Sequence, residues 1–351
     1  MKKIVSLLLV FTLIFVFAAC QQAGDELGND NTQENTTGDT NNVQEKDLNT
    51  AEDKELNEGD TQEDTGDAEG NNTETANETT YPLTITDSFD REVTIDSEPK
   101  RIIALSPAVT EVVYALGMED RLVARTDYCD YPEEVTNIES IGDLMDPNIE
   151  KIVELEPDLA IAAAHFQMET LEKLEDAGIK VVIIYGEESF DGAYFAIEEI
   201  GKILNAQDKA AQIVADMKAT VEEVIQNVEG RERPSVYFVV GFGEWGDYTA
   251  GRDTFIGQLI EMAGGKNAAD DIEGWSYSLE KLIEKNPDHF ICSKSDNHRE
   301  QLKEAEHYRD LDAIANDRIL EIDKNKLERQ GPRLAEGLRE IAEYLHPDAF
   351  K

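Results

Sequence analysis

Basic side chains are scarce in this 351-residue chain. Its 32 lysines and arginines stand against 76 aspartates and glutamates, for a net charge of −44. So acidic a chain excludes nucleic acid and anionic lipid headgroups as partners, because both demand phosphate-neutralising cations. Cysteine is rarer still, with Cys20, Cys129 and Cys292. The last two, far apart in sequence, imply no disulfide framework and read as small packing residues. The five histidines (165, 289, 298, 307 and 346) lack ligand spacing, so no metal site is expected. There is no Gly-x-Ser-x-Gly elbow, nucleophile signature or phosphate loop, so no catalytic residue and no cofactor are expected. The longest apolar run, residues 4–19, falls short of the roughly 20 residues that a spanning helix needs.

What is present begins with that run. Lys2 and Lys3 precede it, and Ala18 and Ala19 lead directly into Cys20. A basic start, a short apolar middle and small residues at the cut make residues 1–19 a secretory signal. "FAAC" resembles a bacterial lipobox. That resemblance implies cleavage before Cys20, a diacylglyceryl group on its sulfur, and anchorage on the extracytoplasmic face of the cell membrane. Two acyl chains suffice for stable anchoring. Residues 21–80 carry 18 acidic side chains, two lysines and almost no large apolar groups. They cannot bury enough surface to offset their ordering entropy, so residues 20–80 read as a lipidated cysteine followed by a disordered acidic tether.

From Tyr81 the pattern changes. "YPLTITDS" and "REVTIDS" alternate like an edge hairpin. "RIIALS", "LVART", "LAIAA" and "VVIIYG" then read as buried strands, separated by helical stretches that stop at glycine or proline. "SVYFVVG", "HFICS" and "DRILEID" repeat the theme, and "PRLAEGLREIAEYLHP" closes the chain as an amphipathic helix. This alternation predicts parallel sheets covered by helices. Between the two series, residues 207–228 contain no helix breaker. The expected fold is therefore α/β: two Rossmann-like lobes with central sheets, residues 81–205 and 230–351, joined by one long interlobe helix over residues 206–229.

An internal repeat supports two related lobes. "NIEKIVELEPDLAI" from Asn148 and "SLEKLIEKNPDHFI" from Ser278 match at a fixed offset of 130 residues. Asn148 and Ser278 are good helix caps, which puts Glu150 and Glu280 in the first turns. An acid there complements the helix dipole. That alone does not explain why both lobes carry it.

Together "RIIALSPAVTEVVYALG", "DYCDYPEEV", "IEKIVELEPDLAI", "GWSYSLEKLIEKNPD" and "LERQGPRLAEGLREIAEYL" resemble the helical-backbone class of ABC-importer substrate-binding proteins. That class serves iron-siderophores, haem and cobalamin. The similarity is closest to cobalamin-binding members, through the "SP–TE…DYP" pair and "ER–PR" near the end. The resemblance implies a lipoprotein that captures cobalamin or a related corrinoid between its lobes. It would deliver the ligand to an ABC permease dimer with its ATPase subunits. A ferric siderophore or haem is the alternative cargo. A surface enzyme or chelatase on the same scaffold would need an acid–base or metal cluster that the sequence does not display. By the same resemblance, Glu150 and Glu280 meet arginines on the two permease subunits, and Arg329 reaches the ligand from the second lobe.

The aromatic residues complete the expected site. Tyr128, Tyr131, Phe166 and Trp275 fall at strand-to-helix junctions, where ligands bind in open α/β sheets. "GFGEWG" at 241–246 fits the dinucleotide fingerprint, but no helix opens within it, so it is not a nucleotide loop. Its Phe242 and Trp245 are read instead as a wall of the cleft.

Overall fold

The computed structural model describes residues 78–351 apart from Trp245. The expected signal peptide, Cys20, most of the expected tether and Trp245 lie outside the described residues. Thr79 is already tied into the fold: its N–H donates to Asn205 Oδ1 (2.7 Å) and its hydroxyl to the Lys202 carbonyl (2.6 Å).

An antiparallel hairpin of β1 (Leu83–Thr86) and β2 (Glu92–Ile95) opens the first lobe, with Leu83 opposite Ile95. Then come β3 (Ile102–Ala104), α1 (Pro107–Ala115), β4 (Leu122–Arg125) and α2 (Ile149–Glu154). β5 (Leu159–Ala162), α3 (Met168–Asp176), β6 (Val181–Ile183) and α4 (Phe190–Ile203) complete it. After α5 (Gln207–Val228), the second lobe runs through β7 (Ser235–Val239), β8 (Asp247–Tyr248), α6 (Phe255–Met262) and β9 (Lys266–Asn267). β10 (Ser276–Tyr277), α7 (Leu279–Lys285), β11 (His289–Ser293) and α8 (His298–Glu304) follow. The lobe ends with α9 (Asp312–Ala315), β12 (Ile319–Ile322), α10 (Asn325–Glu328) and α11 (Leu334–Leu345).

The sheets are β4-β3-β5-β6 and β9-β7-β11-β12, parallel throughout. Both place their strands in the spatial order second, first, third, fourth. The expected two Rossmann-like lobes are therefore the observed fold, and the lobes share one topology.

The sequence repeat has a physical counterpart in each lobe. Asn148 Oδ1 accepts the Lys151 N–H (3.0 Å), and Ser278 Oγ accepts the Lys281 N–H (3.4 Å). The matching Ile152 and Leu282 anchor α2 and α7 in the cores, both almost wholly buried. Asp158 then accepts the Lys100 and Arg101 N–H groups (2.8 and 2.9 Å), just before β3. Asp288 does the same for Ser235 at the start of β7, taking its N–H (2.8 Å) and hydroxyl (2.7 Å). Each aspartate fastens the third strand of its sheet to the first.

Helix α5 spans about 33 Å at 1.5 Å per residue. It buries Ala210, Val214, Met217, Val224 and Val228 and packs against α4 of the first lobe and α11 of the second. Arg339 of α11 holds Glu223 of α5 at 2.5 Å. One continuous apolar core runs from Ile102 and Val109 through α4 and α5 to Ile260 and Leu338.

Candidate functional site

A cavity of about 420 Å³ lies between the lobes, within the usual range for small-ligand sites. Strand ends build it. His165 follows β5, Glu188 follows β6 and Val240 follows β7, and all three line it. The second lobe adds Phe255 and Ile256 from the start of α6, Trp275 beside β10, and Leu327 to Gln330 with Leu334 around α10 and α11. Behind them Phe255 meets Phe190 of the first lobe edge to face, with centroids 5.5 Å apart. The back of the cleft is therefore apolar and made by both lobes.

Its side is closed by charge. Glu111 on α1 is 4% exposed and accepts three bonds from the second lobe. Arg333 grips it with Nε (2.9 Å) and Nη2 (2.7 Å), and Arg329 Nη1 adds a third at 2.9 Å. Such a forked pairing is strong because both partners are ionised and the geometry is fixed. Arg329 also donates to Asp130 (2.7 Å) and to the Tyr128 carbonyl (3.4 Å). Arg333 reaches Asp323 (2.8 Å) and stacks over the Tyr131 ring, 3.8 Å from its centroid. Burial pushes the Asp323 carboxyl up, but Arg333 and the Asn325 N–H outweigh it, leaving the group below the usual carboxylate range. Beside this network Gln330 Nε2 donates to the carbonyls of Gly186 (3.0 Å) and Glu187 (2.6 Å), across the same divide.

The sequence-derived residues separate into groups. Trp275, 43% exposed, and Arg329 line the cavity. Tyr128 and Tyr131 stand exposed on the first-lobe side of the ion network. The Tyr128 hydroxyl donates to Asp143 (3.0 Å), which raises its pKa. Phe166 is not brought to the cleft. His165 takes a left-handed backbone (φ +67°) and faces the cavity, while Phe166 packs into the first-lobe core with Leu171 and Leu174. Phe242 likewise packs inside the second lobe, against His298 and Tyr308. Its loop folds back on β8, with the Tyr248 N–H donating to the Gly241 carbonyl (2.8 Å). Gly243 and Gly246 take φ near +105° there, which side chains disfavour. Among the described residues of that loop no helix opens, and the next helix begins at Phe255.

Glu150 and Glu280 are exposed in the first turns of α2 and α7. The Ser278 hydroxyl donates to Glu280 (2.5 Å), which lowers the pKa of that carboxyl. Among the described residues neither glutamate is in an ion pair. Cys129 and Cys292 are buried free thiols. Burial drives the Cys292 thiol up to about 12, so it is inert as a nucleophile.

Sequence reasoning missed Glu111, Asp130, Glu188 and Gln330. Glu111 left a trace, since it interrupts the apolar face of "AVTEVVYALG", and a buried carboxylate must have a partner.

Comparison with known proteins agrees with this architecture. The periplasmic binding protein family model matches residues 102–326. An uncharacterised ABC transporter substrate-binding lipoprotein of Bacillus subtilis, YvrC, is 35% identical over 278 residues, covering 77% of this chain and 88% of its own. A cobalamin-binding protein of Halobacterium salinarum is 29% identical over 279 residues, covering 76% and 74%. The solved apo structure of a periplasmic haem-binding protein, RhuT of Roseiflexus sp. RS-1, superposes with a TM-score of 0.65 at 26% identity, over 71% of this chain and 99% of that one. The fold is thus shared with a solved binding protein, and the sequence with the family model and with the Bacillus relative. The chain belongs to the periplasmic binding protein family, the substrate-binding class of ABC importers.

Proposed function

We propose that the protein captures cobalamin or a related corrinoid in the interlobe cleft and hands it to an ABC permease dimer driven by its ATPase subunits. One observation carries the reading: a cavity lined from both lobes, by residues just past the ends of β5, β6 and β7, with Trp275 presenting an exposed aromatic face. A broad macrocycle needs such walls more than it needs charges. Tyr128 and Tyr131 lie outside the cavity lining, exposed on the first lobe beside Arg329 and Arg333. The similarity to the Halobacterium cobalamin-binding protein supports the choice of ligand.

The mature protein is held to the extracytoplasmic face of the membrane through lipidated Cys20, with residues 21–80 as tether. The name of the Bacillus relative supports the lipoprotein assignment. Among the described residues no helix is long and apolar enough to cross a membrane. Glu150 and Glu280 dock on paired permease arginines, one per lobe. Their exposure, the absence of ion-pair partners for them among the described residues and their places on duplicated elements support this role.

Haem is the second reading, favoured by one feature. His165 presents an exposed imidazole to the cavity from a left-handed backbone, and imidazole ligates haem iron. Titrating the purified protein with cyanocobalamin, haemin and ferric siderophores decides between the readings. Saturable 1:1 binding of cyanocobalamin, tighter than the others, is expected. Preference for haemin with a Soret shift that His165→Ala abolishes would replace the corrinoid reading.

A further inference from the structure

Resting on the cleft as the ligand site, we infer that its charge arrangement selects uncharged or cationic metal chelates and rejects polyanionic ones. Arg329 is the one permanently cationic side chain lining the cavity among the described residues. It is already taken. Its Nη1 donates to both Glu111 and Asp130 of the opposite lobe, and its Nη2 faces the Tyr128 carbonyl. Glu111 cannot turn away to release it, because the same buried carboxylate holds Arg333. Two more acids line the cavity, Glu188 from the first lobe and Glu328 from the second. Both are exposed, and neither is in an ion pair among the described residues. Arg252 and Arg125 do not line the cavity and are engaged elsewhere, Arg252 with Glu273 (2.6 Å) and Arg125 with the Thr126 carbonyl (2.9 Å).

An incoming carboxylate or catecholate therefore meets two unpaired carboxylates and a satisfied guanidinium. It would shed water without gaining a counter-ion. Amide N–H groups or net positive charge on a chelate find acceptors in Glu188 and Glu328, while Trp275, Phe255 and Leu334 receive the apolar body. The discriminating side chains are Glu188 and Glu328, with Glu111 and Asp130 acting as positioning residues that keep Arg329 occupied.

The test uses the full chain in detergent and probes matched in shape but not in charge. The pairs are cyanocobalamin and its derivative with one propionamide hydrolysed to carboxylate, haemin and its dimethyl ester, and a monocationic ferric hydroxamate against a trianionic ferric tris-catecholate. Affinities come from quenching of tryptophan fluorescence. At about 12 Å and an effective dielectric of about 20, one like-charge pair weakens binding by about tenfold. In each pair that binds, the less anionic member should bind tighter by about tenfold per charge if one glutamate faces it and by up to about a hundredfold if both do. The Glu188→Gln/Glu328→Gln variant, altered only at exposed positions, should narrow the gap to under about threefold. Equal or tighter binding of the anionic members, or a gap that survives in the variant, overturns the inference. If corrinoids fail but the hydroxamate still beats the tris-catecholate, the corrinoid reading falls and the charge rule stands. Failure of every neutral and cationic probe overturns both.

Discussion

Replacing Glu111 by glutamine isolates the charge that closes the cleft. Glutamine keeps the volume and one acceptor but presents N–H groups to two guanidinium ions. Three bonds are at stake, from Arg333 Nε and Nη2 and from Arg329 Nη1, at 2.7–2.9 Å. Hydrogen bonds to charged groups contribute about 1.5–3 kcal/mol each. The full sum is not lost, because Asp323 and Asp130 keep one carboxylate on each arginine. The expected loss is therefore about 3 kcal/mol, the lower end for a broken buried ion pair. That shifts the unfolding equilibrium by about a hundredfold, at 1.4 kcal/mol per tenfold. Urea unfolding followed by far-UV circular dichroism reads it as a lower midpoint at unchanged slope. Removing both partners, as in Glu111→Leu/Arg333→Met, should recover part of the loss, since no uncompensated charge then stays buried. A Glu111→Gln unfolding free energy within about 0.5 kcal/mol of wild type would refute the reasoning, as would a double variant less stable than the single one.

Trp275→Ala should weaken ligand binding by about 1–3 kcal/mol, and Tyr131→Ala by a similar amount, both read by titration calorimetry; wild-type affinity in the two would move the site. A chain beginning at Glu78 should keep ligand affinity, whereas one beginning at Tyr81 loses the bonds of Thr79 to Asn205, Lys202 and Gln207. The shorter chain should be less stable by about 1–3 kcal/mol in thermal or urea unfolding. The Ser235 N–H and hydroxyl hold the Asp288 carboxyl below its ordinary value. A depressed carboxylate stabilises above its unfolded pKa of about 3.9 and loses that contribution as pH falls through the folded value; Asp288→Asn should therefore flatten the acid limb of the stability profile below about pH 4 and be nearly parallel to wild type above pH 5. Glu150→Ala/Glu280→Ala should leave ligand affinity unchanged and reduce permease association by at least about a hundredfold, as loss of two charge-assisted contacts implies. Normal uptake by that double variant would leave both glutamates as helix-start residues.

The lobes were legible because their signals are local. A cap, an apolar i, i+3 pair and a Pro-Asp break recur after 130 residues, and each acts on neighbours within a few positions. Strand order was not legible, because it depends on pairings such as β7 with β9 that no local pattern encodes. The two-residue strands β8 and β10 are too short to carry alternation. Trp275 stood out as an aromatic residue at a junction and does line the cavity. Phe166 occupied an equivalent sequence position but turned inward, since one left-handed residue before it decides which side chain faces the cleft. The ion network was hidden for another reason: Glu111 finds Arg329 and Arg333 at separations of 218 and 222 residues. Only the demand that a carboxylate on an apolar helix face be paired pointed toward them.

The same network bears on how a ligand enters and leaves. The apolar core is continuous from the first lobe through α4 and α5 into α11, and each buried aliphatic side chain in it contributes about 1.5–3 kcal/mol. Exposing about five such residues by swinging the lobes apart as rigid bodies would cost about 7–15 kcal/mol, the size of a typical domain's whole stability. The more exposed interlobe contacts at the side of the cleft are different in kind. They are polar and come from Arg329 and Gln330. Water can replace the Gln330 bonds to Gly186 and Glu187 at about 0.5–1.5 kcal/mol each. The half-exposed Arg329–Asp130 pair is weaker still than the buried Arg333–Glu111 fork, because solvent screens it. The bonds of Gln330 and Asp130 are thus the interlobe contacts that water replaces most cheaply, and α5 with the Arg333–Glu111 fork holds the lobes most firmly.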